Sequence, residues 1–463
     1  MNIAFVAAEM YPLIKTGGLA DVAYALPKAL NKIGKDCRVF IPKYSQISNK
    51  HLTEAKFVTS VDIYNETYNI ISVIIDNITI YLVENRTYFE RDSLYDCEDN
   101  DIQFATFCEV VLLSLERIGF KPDVINCNDW QTGVLPYFLK IRYAHSDFYR
   151  NIKTLYTIHN LRFQGHFGKR ALDHHHYPFD DNYVNFMKIA LLNSDKINTV
   201  SETYAEEIKT HAYGEGLDYF LRMRSHDLSG IVNGIDTDVF DPASDKALVK
   251  NYDINNFSDK IINKRNLQEA FGLPVIDDIP IISMVTRLDP QKGLDLLDHI
   301  IKELLEYDRI QLIILGTGHE RFERKFSNLA KKYPEKLGVY IGYNGALANK
   351  IYAGSDMYLM PSHYEPCGLS QLIALRYGTI PVVRETGGLN DTVQAYNEYT
   401  HSGNGFSFKN YNAYDMLHTI RRAENYYYNF KETWEHLIKT AMSGDYSWEQ
   451  SAIKYQDLYK SMI

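Results

Sequence analysis

The sequence predicts an α/β protein built from two doubly wound domains facing one cleft. Three observations carry that expectation. The chain has 463 residues, more than one hydrophobic core usually supports. Short apolar runs alternate with amphipathic stretches, which marks a parallel sheet wrapped by helices. Polar residues collect where the apolar runs end, and ligands of such sheets bind beyond the strand C-termini.

The elements follow in order. "IAFVAA" at 3–8 is a first buried strand, and "ADVAYALPKALNKIG" has helical spacing and stops at Gly34, a C-cap position. "CRVFIP" is the next strand, "ISVIID" and "ITIYLVE" form a hairpin, and "FATFCEVVLLSLERIG" is a helix. "PDVINCND", "KTLYTIHN", "KINTVS" and "LSGIVNGID" are apolar runs ending in polar groups. A second series starts near Ile279 with "IPIISMVTRLDPQKG" and continues through "IQLIILGTG", "GVYIGY", "MYLMPSHYEPCG" and "TIPVVRETGG". The join falls in "VNGIDTDVFDPASD", where Gly, Asp and Pro concentrate. The expected domains are 1–240, 241–445 and a last helix, 446–463, capped by Ser447 and packing back on the first domain.

Composition excludes several classes. A net charge of −10 without a block of like charges argues against a nucleic-acid partner or an anionic membrane surface. No apolar run approaches a membrane span, and the N-terminus lacks a basic region before its apolar residues. Five scattered cysteines without CxxC spacing indicate free thiols and a reducing compartment, so a cytosolic, cytoplasmic protein is expected. The 36 tyrosines have two readings, aromatic platforms for sugar rings or an AT-rich coding bias.

Two stretches echo one another: "KTGGLADV" from Lys15 and "ETGGLNDTV" from Glu385. Each lies between a strand and a helix, where backbone N–H groups at a helix N-terminus suit an anion. Only the first carries a lysine. Neither matches GxGxxG or GxxxxGK[ST], so a standard nucleotide loop is not supported. "TRLDPQKGLD" adds Arg287 and Lys292, and "EPCGLSQL" puts Glu365 just before a helix that starts near Gly368. Arg grips phosphate through paired donors and Lys supplies a point charge. Glu365 is either a helix cap or an acceptor for sugar hydroxyls, beside the N–H groups of Gly368, Leu369 and Ser370. The cations make a site for a diphosphate that requires no metal. Asp99–x–Asp101 and Asp236–x–Asp238 match a DxD metal motif but read as turn and capping aspartates, and "DHHHYPFDD" reads as a surface loop.

Together "KTGGLADV", "TIHN", "VNGID", "RLDPQKG" and "EPCGLSQL" resemble the bacterial glycogen synthase and plant starch synthase family, in order and over essentially the whole chain. The resemblance implies a GT-B fold, two Rossmann-like domains, and retaining transfer of glucose from ADP-glucose to the non-reducing end of an α-1,4-glucan, with no cofactor and no metal. It implies that Lys15 with Gly17 and Gly18 contacts the donor phosphates, and that Arg287 and Lys292 hold the diphosphate. Glu365 with the backbone of Cys367, Gly368, Leu369 and Ser370 binds the glucose hydroxyls. His159 and Asn160 approach the sugar, Asn233 lies beside it, Asp21 lies near the acceptor or the hinge, and Asp129 is a substrate-binding residue. The chain departs from the usual HxHDW, with Asn126 and Asn128 before Asp129 and Trp130, and Gln131 after it. No residue is an obvious nucleophile on the far face, so front-side attack is the expected route to retention. Two rivals stay open: a UDP-sugar transferase acting on a small acceptor, and a glycan- or nucleotide-sensing regulator that kept the fold.

Overall fold

The computed structural model describes residues 1–91, 93–95 and 97–463. The chain forms two compact units, Met1–Asn233 with Trp448–Ile463, and Gly234–Ser447. The junctions lie a few residues from the expected 240/241 and 445/446. Ile235 is tied to the far end of the second unit: its N–H donates to Tyr446 O at 2.8 Å, and it bridges Ser447.

Unit 1 contains β1 (Asn2–Val6), β2 (Asp36–Pro42), β3 (Lys56–Ile63), β4 (Glu66–Ile75), β5 (Ile78–Glu84), β6 (Val124–Asn128), β7 (Lys153–Ile158), β8 (His166–Gly168), β9 (Tyr183–Asn185), β10 (Lys196–Thr199) and β11 (Leu228–Gly230). Nine of them make one sheet in the order β11-β10-β7-β6-β1-β2-β5-β4-β3, while β8 and β9 form a separate hairpin. Pairing is parallel from β11 to β5 and antiparallel for β5–β4–β3. Both faces of the central strands are covered, which is why they read as unbroken apolar runs; Phe5, Val6, Ile125 and Cys127 are all fully buried. The expected hairpin is β4–β5, turning on Asp76 and Asn77, both at positive φ. Strand β3 escapes sequence reading because it is a sheet edge with its first three residues exposed.

The helix Gly18–Lys32 buries Leu19, Val22, Ala23, Leu26 and Leu30 on one stripe. The last helix, Trp448–Lys460, buries Trp448, Ala452, Tyr455 and Tyr459 against the same unit. Its polar tips are also tied down: Asn126 donates to the Tyr459 hydroxyl at 2.8 Å, Asn198 to Tyr455 at 2.9 Å, and Ser451 donates to Val232 O at 2.7 Å.

Unit 2 contains β12 (Ile281–Val285), β13 (Gln311–Gly316), β14 (Leu337–Ile341), β15 (Met357–Met360), β16 (Ile380–Arg384) and β17 (Phe406–Phe408). They form an all-parallel sheet in the order β14-β13-β12-β15-β16-β17. Counted within the unit this is 3-2-1-4-5-6, the Rossmann order. The helix Leu294–Tyr307 covers it with Leu294, Leu297, Ile300, Ile301, Leu304 and Leu305. Strand β17, three residues long, was too short to register as a period.

The strand orders locate the functional ends. In each unit the chain reverses direction across the sheet between the first strand and its fourth parallel partner. That switch point lies between β1 and β6 in unit 1 and between β12 and β15 in unit 2. Among the described residues, no helix is long and apolar enough to cross a membrane.

Candidate functional site

In unit 1 the loop after β1 carries Glu9 and Lys15 to Gly18, and the loop after β6 carries Asp129. Glu9 is 2% exposed. Its Oε2 accepts from Thr16 N at 2.5 Å and from Thr16 Oγ1 at 2.7 Å. That carboxylate sets the geometry of the turn that opens the helix Gly18–Lys32, with Gly17 as its N-cap. Around Gly18, a Cβ would meet nothing within 4 Å. The turn therefore has open space around Gly18. Lys15 is about half-exposed and its ammonium lies 2.7 Å from both Asp21 carboxylate oxygens.

Asp129 adopts φ 55 and ψ −176, a strained conformation for a residue with a Cβ. Its Oδ1 accepts from His159 N at 2.8 Å and Asn160 N at 3.4 Å. Desolvation at the strand ends, opposed by those N–H groups and reinforced by Glu9, pushes its carboxyl up to about 7. Desolvation also drives the His159 imidazole down to about 3, so the ring is neutral at working pH. Its tautomer follows from its neighbours. Asn128 Nδ2 donates to Val6 O and Asn126 O, so Asn128 Oδ1 is an acceptor and His159 Nε2, 2.9 Å away, carries the proton. Nδ1 is left as an acceptor for a hydroxyl. Asn160 Oδ1 receives Arg162 N at 3.1 Å. Asn233 is 6% exposed and its Oδ1 has no partner among the described residues.

The substitutions in the HxHDW stretch acquire roles here. Asn126 is fully buried and holds Tyr459 of the last helix, while Asn128 orients His159. Trp130 packs against Phe104, Phe167 and Phe186.

In unit 2 the loop after β12 carries Arg287 and Lys292, and the loop after β15 carries Glu365. These are the two loops at the switch point. Arg287 is exposed and its guanidinium makes no hydrogen bond or ion pair with a described residue. Lys292 Nζ lies 2.6 Å from Glu365 Oε2, a pair with side-chain exposures of 16% and 8%. Ser362 Oγ donates to the same oxygen at 3.0 Å. No described residue donates to Oε1, which leaves it open to a ligand hydroxyl.

The second Thr-Gly-Gly turn explains how Glu365 is held. A Cβ on Gly387, at φ +45, would stand 1.9 Å from Glu365 O, and one on Gly388 would stand 2.0 Å from Cys367 O. Gly388 N–H donates to Glu365 O at 3.1 Å. The two glycines thus clamp the backbone of 365–367 from below. Beyond it, Gln371 Nε2 donates to Cys367 O at 3.1 Å and Gly368 O at 3.0 Å.

The metal motifs have other partners. Asp99 pairs with Arg91 at 2.5 Å, Asp101 with Arg170 at 2.6 Å, and Asp236 Oδ1 receives Asp238 N at 3.0 Å. Tyr64 packs edge-on against His174, His175 and His176. Among the described residues no group of three or more His, Cys, Asp or Glu could hold a metal ion, and all five cysteines are unpaired in disulfides.

Sequence reasoning missed Glu9. The signal was present, since a carboxylate ending an apolar first strand has to be satisfied there. Nothing local said that its partner is Thr16.

The starch synthase catalytic domain family matches residues 2–223, and the group 1 glycosyl transferases match residues 266–441. A glycogen synthase of Clostridium novyi is 48% identical over 479 residues, covering 100% of this chain and 99% of that protein. One from Geobacillus stearothermophilus is 49% identical over 477 residues, covering 100% and 98%. The catalytic domain of starch synthase IV from Arabidopsis thaliana, solved bound to ADP and acarbose, superposes with a TM-score of 0.90 at 32% identity, covering 100% and 99%. Sucrose-phosphate synthase from Thermosynechococcus elongatus, at 17% identity and a TM-score of 0.61, shares the fold. With parallel-sheet units in Rossmann order, a buried Lys–Glu pair at a switch point and relatives that align end to end, this chain belongs to the glycogen synthase and starch synthase family of GT-B glycosyltransferases.

Proposed function

We propose that this protein transfers glucose from ADP-glucose to the non-reducing end of an α-1,4-glucan, with retention at the anomeric carbon, in the cytoplasm. The observation that carries the reading is the buried Lys292–Glu365 pair, with Arg287 on the same loop after β12 and without a side-chain partner among the described residues. A guanidinium without a partner among the described residues, on one loop with a buried ammonium, suits the two phosphates of a nucleoside diphosphate. Family membership supports ADP-glucose and glucan as the substrates.

Breaking the glucosyl–phosphate bond builds positive charge on the sugar and negative charge on the departing ADP. Fixed cations at the leaving phosphate oppose the second change, commonly the largest catalytic contribution. Arg287 and Lys292 take this role, and Lys15, paired with Asp21 here, is assigned to donor phosphate. Glu365 Oε1 accepts the 3- and 4-hydroxyls of the donor glucose, while the N–H groups of Gly368, Leu369 and Ser370 face donor oxygens. His159 Nδ1 accepts a further hydroxyl, with Asn160 and Asn233 beside the sugar. Asp129 and Asp21 serve the acceptor side. The C1–O bond to phosphate breaks as a bond forms from the acceptor 4-hydroxyl oxygen to C1 on the same face. The hydroxyl proton passes to a phosphate oxygen of ADP.

The test is ADP release from ADP-glucose with and without glycogen, with UDP-glucose as the competing donor. Lys292→Ala should lower kcat about 10²- to 10³-fold. Near-normal turnover in that variant, or preference for UDP-glucose and a small acceptor, sinks the reading.

A further inference from the structure

We infer that Gln371 is a positioning residue for the donor, because its side-chain amide fixes the direction of the peptide groups from 367 to 369. What those peptide groups meet rests on the function proposed above; what holds them is geometry within unit 2.

Gln371 lies in the first turn of the helix Ser370–Arg376 and is fully buried. Its Nε2 stands among three oxygens: Cys367 O at 3.1 Å, Gly368 O at 3.0 Å and Thr392 Oγ1 at 3.1 Å. The Thr392 hydroxyl has a single proton, which goes to Gly388 O at 2.6 Å. Toward Gln371 it is therefore an acceptor. Three acceptors leave the amide one orientation, since the flipped form would set Oε1 against all of them. That orientation leaves Oε1 buried and without a partner among the described residues. For stability alone this is a poor choice. A buried acceptor left unpaired costs free energy that an apolar side chain of the same length would not. The amide is explained by what its NH2 group does to the loop.

A peptide unit is planar and trans, so its C=O and the following N–H point in opposite directions. With Cys367 O and Gly368 O both drawn toward Gln371, the N–H groups of Gly368 and Leu369 face the other way. Gly368 is left-handed at φ +70, and Leu369 is right-handed at φ −116 and ψ −29. That alternation turns successive N–H groups to one side. No described residue accepts from the N–H of Gly368, Leu369 or Ser370. A Cβ on Gly368 would stand 2.4 Å from Gln371 Oε1, so the glycine and the amide are needed together. The same amide reaches Glu365 by a second route. Thr392 holds Gly388 O, and Gly388 N–H donates to Glu365 O at 3.1 Å and Pro366 O at 3.2 Å. One side chain thus sets both the backbone that bears the carboxylate and the N–H groups that follow it.

The test is calorimetric titration of the full chain with ADP, alongside kinetics of ADP release with ADP-glucose and glycogen varied in turn. Gln371→Met keeps the length and loses the NH2 group. Thr392→Val keeps the shape and loses the hydroxyl, which Thr392→Ser retains. Gln371→Met should weaken ADP binding and raise the ADP-glucose KM about tenfold or more. The glycogen KM should stay within about twofold, with a cooperative urea transition retained. Thr392→Val should shift the ADP affinity and donor KM about threefold in the same direction, and Thr392→Ser should return both to wild type. A residue that only supports the fold would lower the unfolding midpoint and leave these constants unmoved. Unchanged ADP affinity and donor KM in folded Gln371→Met overturn the proposal. If that variant does not fold, unchanged constants in Thr392→Val overturn it, as does equal damage from Thr392→Val and Thr392→Ser. If the wild-type chain binds ADP but releases none from ADP-glucose, the proposed function fails, while ADP affinity lost in Gln371→Met still supports the positioning role. A wild-type chain that binds no ADP overturns both.

Discussion

Adding one methyl group to the second Thr-Gly-Gly turn should disable chemistry more than it unfolds the protein. In Gly387→Ala the new Cβ would sit 1.9 Å from Glu365 O, where real Cβ contacts essentially never fall below 3.0 Å. Relief demands about 1 Å of movement, and the atom in the way is backbone, so no rotamer change absorbs it. Positive φ adds about 1–2 kcal/mol of local strain for a residue with a Cβ. The displaced segment carries Glu365, whose carboxylate fixes Lys292 at 2.6 Å. A misplacement of about 1 Å at reacting groups costs on the order of 10²-fold in rate. The expected result is a kcat for ADP release lowered about a hundredfold, with a cooperative thermal transition retained. Gly18→Ala is the contrast, because its Cβ would meet open space; its fold should be unaffected and its donor KM should rise. If Gly387→Ala keeps kcat within about threefold, the turn does not position Glu365 and the reasoning fails.

Other outcomes follow from single contacts. Lys292→Ala leaves Glu365 buried without its cation, so it should also destabilise unit 2 by roughly 3–5 kcal/mol in urea unfolding. Lys292→Arg should restore part of that stability while catalysis stays low, because a planar fork replaces a point charge. His175 is buried, bonded through Nε2 to Thr106 Oγ1 at 2.9 Å, and held down to about 3 by desolvation and by His174, Arg142 and His176. Between about pH 3 and 6.5 the unfolded chain binds a proton there that the native state refuses. Stability should therefore fall as pH drops through this window, by up to about 1.4 kcal/mol per pH unit from this group. His175→Asn should flatten that slope in chemical denaturation at pH 4 to 6.5; an unchanged slope refutes the assignment. Tyr459→Phe removes the acceptor of buried Asn126 and should cost about 1–3 kcal/mol of unit 1 stability, read by denaturant midpoint.

Strand positions at the sheet centres were legible because both faces are buried, so Ile281–Val285 and Gln311–Gly316 stand out as apolar runs in any context. The edge strand Lys56–Ile63 was not, since exposure on its outer half erases the pattern. The cations Arg287 and Lys292 were legible as loop residues after a strand. That Lys292 is already paired with Glu365, 73 residues later, was not, because ion pairing is decided by where two loops meet.

The sequence alone determined two parallel α/β units, the ends of their strands and the chemical types gathered there, since periodicity and residue identity are local properties. Tertiary structure decided what each group does. It turned one Thr-Gly-Gly into an open turn held by Glu9 and the other into a clamp on Glu365, although their letters nearly agree. It also made Asn126 an anchor for the last helix and left His159 neutral with Nδ1 free to accept. The reason is that desolvation and contact distance depend on segments brought together from far along the chain, and no local pattern encodes the distance between them.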